Sequence, residues 1–150
     1  MSFILHVLLG SILVVATVIV HSICIVLMLR RTQAWVNLHP VKASLANLVV
    51  IFSSTTLALL ALHAIYIWMW ALCYMLLGEF SSLERALYFS SATYSTLGYG
   101  DITLSENWQL LSGFEAVNGL ILFGTSSAYL FAVFGMLYRK MTRDKYTPMW

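Results

Sequence analysis

Two runs of this chain, Ile4 to Leu29 and Ala43 to Leu77, contain no Asp, Glu, Lys or Arg. A hydrocarbon core about 30 Å thick is crossed by roughly 20 helical residues at 1.5 Å each, and both runs exceed that length. A third, Asn107 to Tyr138, carries one charge, Glu115. Backbone amides in lipid find no water to bond, so such runs must be helices. The second run is longer than a bilayer needs, which predicts tilt or an extension beyond the membrane. Hydrophobic residues make up 61% of the chain and charged residues 9%, proportions that belong in lipid rather than in a soluble domain.

The first run does not read as a secretory signal. It lacks a basic segment ahead of it, and its apolar stretch is far longer than that of a cleaved leader, so it is expected to remain as a helix. Basic residues set the orientation. Arg30, Arg31 and Lys42 lie between the first and second helices, and Arg139, Lys140, Arg143 and Lys145 follow the third, whereas only Arg85 lies between the second and third. The positive-inside rule then places the N-terminus outside and the C-terminus in the cytoplasm. Trp35 is expected at the inner boundary, and Trp68, Trp70 and Trp108 at the outer one.

The net charge of +2 follows from this sidedness, so no nucleic-acid partner is expected. Cys24 and Cys73 have no second thiol nearby and read as packing residues. His6, His21, His39 and His63 form no ligand pair along the chain. Nothing resembles a nucleophile with its base, and Glu79, Glu84 and Glu106 read as solvated or capping groups, so no enzyme is expected. The whole chain is one membrane domain.

The segment from about Gly78 to Glu106 is not an ordinary loop. Ser81 precedes Glu84 by three positions, the spacing of a capping box, and predicts a helix from Leu83 to about Tyr94. That is too short to span and marginal alone, so it must be a half-helix held by packing. The stretch that follows reads Thr96, Leu97, Gly98, Tyr99, Gly100, Asp101. Its glycines permit backbone angles that would turn the carbonyls of Thr96, Leu97, Gly98 and Tyr99 to one side, where they could replace an ion's water. Leu97 and Tyr99 are expected to turn back into protein, and the half-helix would aim its partially negative end at a waiting cation.

This T-x-G-Y-G-D motif, between a half-helix and a spanning helix, resembles the filter of the potassium channel pore family. The resemblance covers roughly residues 43–138. It implies an all-α membrane protein of three transmembrane helices, with a re-entrant pore helix and selectivity filter between helices two and three. Residues 1–42 look like the extra leading helix and cytoplasmic loop of small bacterial three-helix channels. Residues 139–150 would be a short cytoplasmic tail. The implied site holds K+ on Thr96, Leu97, Gly98, Tyr99 and Gly100, needs no organic cofactor, and lies in a bacterial cell membrane. Four positions depart from the family pattern. Leu97 replaces a valine, Tyr88 and Phe89 replace the aromatic pair that cuffs the filter, and Ala92 stands where some members carry a glutamate. Tyr88 is then the expected donor to Asp101.

An acid within a spanning helix, such as Glu115, is costly enough to be functional by default. Helical spacing puts it on one face with Gly119, Leu122 and Ser126, near Asn118. Two readings stay open: it braces the filter through Thr93 or Ser91, or it makes a structural inter-helix hydrogen bond. Gly119 and Gly124 are candidate hinges, with close helix packing as the alternative for each. One pore loop supplies one wall of a filter, so four copies are expected, with the first helix peripheral. The expected function is passive, potassium-selective conduction across a lipid bilayer. A weakly selective or normally non-conducting cation channel remains open, as does an accessory subunit with a vestigial pore. The tail is too short for a ligand-binding domain, so regulation would come from an unidentified partner.

Overall fold

The computed structural model describes residues 3–38 and 45–146, which form four helices. These are α1 (Phe3–Leu38), α2 (Leu45–Leu76), α3 (Leu83–Tyr94) and α4 (Gln109–Tyr146). Three of them, all but α3, are long and apolar enough to cross a membrane. At 1.5 Å per residue the 36 residues of α1 run about 54 Å, well beyond a hydrocarbon core. The helix passes through Arg30 and Arg31 without a break, because arginine is a good helix former. The same holds at the other end of the chain. The tail expected at residue 139 continues α4 as far as Tyr146. The expected boundary between residues 42 and 43, with Lys42 and His39, lies outside the described residues, as do the last four residues.

Burial runs opposite to that of a soluble protein. The buried positions in the first two-thirds of α1 are His6, Gly10, Thr17 and His21, one stripe at helical spacing, while Ile12, Val15 and Ile19 are exposed. Lipid is as apolar as isoleucine, so such helices associate through small residues and hydrogen bonds. The stripe faces α4. Gly10 receives the ring of Phe114, and Thr17 Oγ1 donates to Asn118 Oδ1 at 2.9 Å.

Helices α2 and α4 hold α3 between them in an aromatic cluster that includes Trp70, Tyr74, Phe80, Phe89 and Tyr94. Trp70 is fully buried and Trp108 packs on His6, ring centroids 4.6 Å apart, so both rings face protein. Trp68 and Trp35 do lie exposed. A second cluster, built on Leu59, Tyr129 and Val133, joins the other ends of the long helices. α2 stops at Gly78, whose φ of +78° suits glycine alone. Glu79 N–H returns to Tyr74 O and Gly78 N–H to Met75 O, the paired closure of a glycine C-cap.

Candidate functional site

The start of α3 is where expected, but the reason differs. Its N-cap is Ser82, with extended backbone (φ −127°, ψ 132°) and no side-chain capping bond, so the Ser81–Glu84 box does not form. The end of α3 does most to shape the site. Ser95 N–H donates to Ser91 O and Thr96 N–H to Thr93 O, and then the amides of both Leu97 and Gly98 donate to Ala92 O, at 2.9 and 3.0 Å. In a trans peptide the carbonyl is antiparallel to the next amide. The carbonyls of Thr96 and Leu97 therefore point away from the helix end.

Backbone angles continue the pattern. Thr96 (φ +59°), Gly98 (+51°) and Gly100 (+75°) are left-handed, and Leu97 and Tyr99 between them are not. Alternation of this kind repeats the same peptide orientation instead of reversing it, as a strand would. Thr96 holds its angle without glycine's freedom, and it is the only non-glycine with positive φ among the described residues. The whole segment from Ser95 to Asp101 is exposed on the chain. Leu97 is 55% and Tyr99 68% exposed on the single chain, so neither is covered by its own helices. Behind them lies an open groove between α3 and α4, lined in part by Tyr88, Ala92, Gln109 and Ala116.

Tyr88 Oη donates to Asp101 Oδ2 at 2.8 Å, tying the far end of the segment back to α3. That bond holds the Tyr88 phenol above the ordinary tyrosine range. A raised phenol keeps its proton, and with it the donor of this tie, through neutral pH. Tyr88→Phe is expected to free residues 96–101 from α3 at neutral pH, read as amide hydrogen exchange there at least about fivefold faster than in the wild type, and unchanged exchange would sink that role.

A second tie has no counterpart in the sequence pattern. Glu79 accepts from Ser105 N–H and Ser105 Oγ, both at 2.7 Å, and so clamps the exit of α2 to the approach of α4. Glu79 is half-buried and Ser105 exposed, and no local spacing relates them.

Glu115 is fully buried. Tyr74 Oη of α2 donates to its Oε2 at 2.7 Å, and Ser90 Oγ of α3 meets its Oε1 while also reaching Ile67 O at 2.9 Å. The acid thus joins three helices. Its partner on α3 is Ser90 rather than Ser91 or Thr93; Ser91 Oγ donates to Tyr88 O instead. Gly119, one turn on, lies against the end of α3, where a Cβ would sit 1.9 Å from Tyr94 O. Gly124 has open space around it. α4 is one continuous helix past both.

Tyr94 carries a further contact that no motif announces. Its Oη lies 2.9 Å from His63 Nδ1, and His63 Nε2 lies 2.9 Å from Ser126 Oγ. A signal exists in the sequence: His21 and His63 interrupt otherwise apolar spans, and a polar group at that depth needs a partner. Spacing along a single helix does not reveal it, because each partner lies on a different helix.

The sequence profile of a family described as ion channel matches residues 54–136. No curated protein matches the chain, and no solved structure does.

Proposed function

The chain belongs to that ion-channel family, and on this premise we propose that it conducts potassium passively and selectively through a pore shared by four copies. The observation that carries the reading is the backbone of residues 96–100. Its alternating left-handed angles, and the return of the Leu97 and Gly98 amides to Ala92, leave the Thr96 and Leu97 carbonyls facing outward. Carbonyl oxygens in a ring replace the hydration shell of a potassium ion. One chain contributes one wall.

Fourfold assembly is supported by what a single chain leaves uncovered. Leu97 and Tyr99 are large, apolar and exposed, and the groove behind them is open; a neighbouring copy would cover both. In this reading α3 dips from the outer face and returns through residues 95–104, with the N-terminus outside. The C-terminal end of α3 then directs its partial negative charge at the ion path. Glu115, Tyr88 and Asp101 keep the segment in place, and potassium is cargo rather than a cofactor.

The test is ion flux from liposomes that contain only the purified protein, with its tetramer verified by native mass spectrometry. Potassium efflux blocked by barium, with sodium at least about tenfold slower, is expected. Equal sodium and potassium flux would overturn selectivity. A verified tetramer with no flux would point to a filter closed without its stimulus, and a chain that forms no tetramer would point to an accessory subunit.

A further inference from the structure

All four helices meet at one buried polar chain. Tyr94 of α3 faces His63 of α2, His63 faces Ser126 of α4, and Ser126 Oγ lies 3.3 Å from Nε2 of His21 on α1. All four side chains are buried. With the phenol donating, each link holds one hydrogen: Tyr94 O–H to Nδ1, Nε2–H to Ser126 Oγ, and Ser126 O–H to His21 Nε2. Only His21 Nδ1–H is then left over, and Nδ1 is indeed without a partner. The opposite direction would strand the Tyr94 hydrogen as well as the Nδ1 lone pair. Stranded donors are costly when buried, so the neutral chain runs from Tyr94 to His21.

The chain begins at the residue that ends α3, two positions before Thr96. Tyr94 is therefore held twice, by its carbonyl against Gly119 and by its phenol on His63. We propose that His63 is a positioning residue for the filter, holding Tyr94 through this neutral chain, and that a proton taken up by His63 releases Tyr94 and stops conduction. The inference rests on the conduction reading above.

A proton on His63 turns Nδ1 from acceptor into donor. The Tyr94 hydroxyl then loses its acceptor; a reversed link would strand its hydrogen in the interior, so the link at the end of α3 opens. The surroundings make the change consequential. The His63 ring stacks on Phe123 at 4.3 Å, with His21 at 5.6 Å, so two protons would place like charges side by side in an apolar interior. One proton per pair is the limit. The other titratable groups around it are Tyr66 on α2, Cys24 on α1 beside Tyr66, Tyr94 itself, and Glu115 on α4. The only carboxyl among them is engaged by Tyr74 and Ser90 and does not reach the ring.

The experiment pairs potassium flux with nitrogen-15 histidine spectra on the same liposomes, from about pH 8 to about pH 3, a span that extends well below the ordinary histidine range. Wild-type flux is expected to fall at least about fivefold as the His63 signal protonates. His63→Gln, which keeps an acceptor and a donor but cannot take up the proton, should give a flux ratio between the two ends of about one, whatever its absolute rate. A purely structural His63 would lower flux in the variant and leave the pH profile intact. Flux that ignores pH in the wild type, or a His63→Gln channel that keeps the wild-type profile, overturns the proposal. If the verified tetramer is silent at every pH, its filter is closed without its stimulus, and the spectra still decide the coupling. Tyr94→Phe must then move the His63 Nδ1 resonance, and an unmoved resonance overturns it.

Discussion

Alanine at position 119 is expected to abolish potassium flux and to dissociate the tetramer at lower temperature, while alanine at position 124 should change neither. The added Cβ at 119 would sit 1.9 Å from Tyr94 O and 2.9 Å from its carbonyl carbon. Those are backbone atoms at the end of α3, not the tip of a side chain that could swing aside. Overpacking of this kind costs about 1–3 kcal/mol per site, which over four copies is about 4–12 kcal/mol. Relief requires α3 and α4 to separate, and Thr96 moves with α3. The contrast with Gly124 is what gives the test its force. A hinge glycine replaced by alanine should alter opening while leaving assembly intact, whereas a contact glycine should lose both. Thermal dissociation of the tetramer in detergent, beside flux, separates these outcomes. A Gly119→Ala protein that assembles and conducts normally would mean that the approach of α4 to Tyr94 is not needed.

That distinction also marks the limit of what is legible in the sequence. The bounds of α3 and the filter-like segment are legible because their signals are local: a polar start, a short apolar run, glycines every second residue. The spans are legible because a soluble fold has no use for uncharged runs of such length. Helix ends are not, since Arg30, Arg31 and Arg139 mark where water begins and not where a helix must end. Contacts between helices are the least legible. Thr17 meets Asn118 across 101 positions, and Ser126 meets His21 across 105. The spacing of polar groups within one helix says which face they share, but which residue of another helix they meet depends on the crossing of the two helices. Glu115 shows the limit to within one residue: spacing identifies its face, yet the partner on α3 is Ser90, whose neighbour Ser91 points elsewhere.

Glu115→Ala is expected to lose the tetramer and its flux, and Glu115→Gln to keep both. The argument is a count of hydrogens. Ser90 has one hydroxyl hydrogen but meets two oxygens, Ile67 O and Glu115 Oε1, while Tyr74 Oη donates to Glu115 Oε2. A protonated carboxyl supplies the missing hydrogen: it donates to Ser90, Ser90 donates to Ile67, and Tyr74 donates to the carboxyl. Each contact then has one hydrogen. The glutamine amide repeats that arrangement with the same shape, its nitrogen donating to Ser90 and its oxygen accepting from Tyr74. Alanine leaves both hydroxyls short of a partner and opens a cavity among three helices. Inter-helix hydrogen bonds in membranes are worth about 0.6 kcal/mol on average and about 1.7 at most, so losing two per chain costs about 5–14 kcal/mol over four chains before any cavity term. Tetramer dissociation and flux on both variants measure the difference. If glutamine proves as damaging as alanine, what α3 requires of position 115 is its charge, and the bracing of the filter is electrostatic rather than a matter of matched hydrogen bonds.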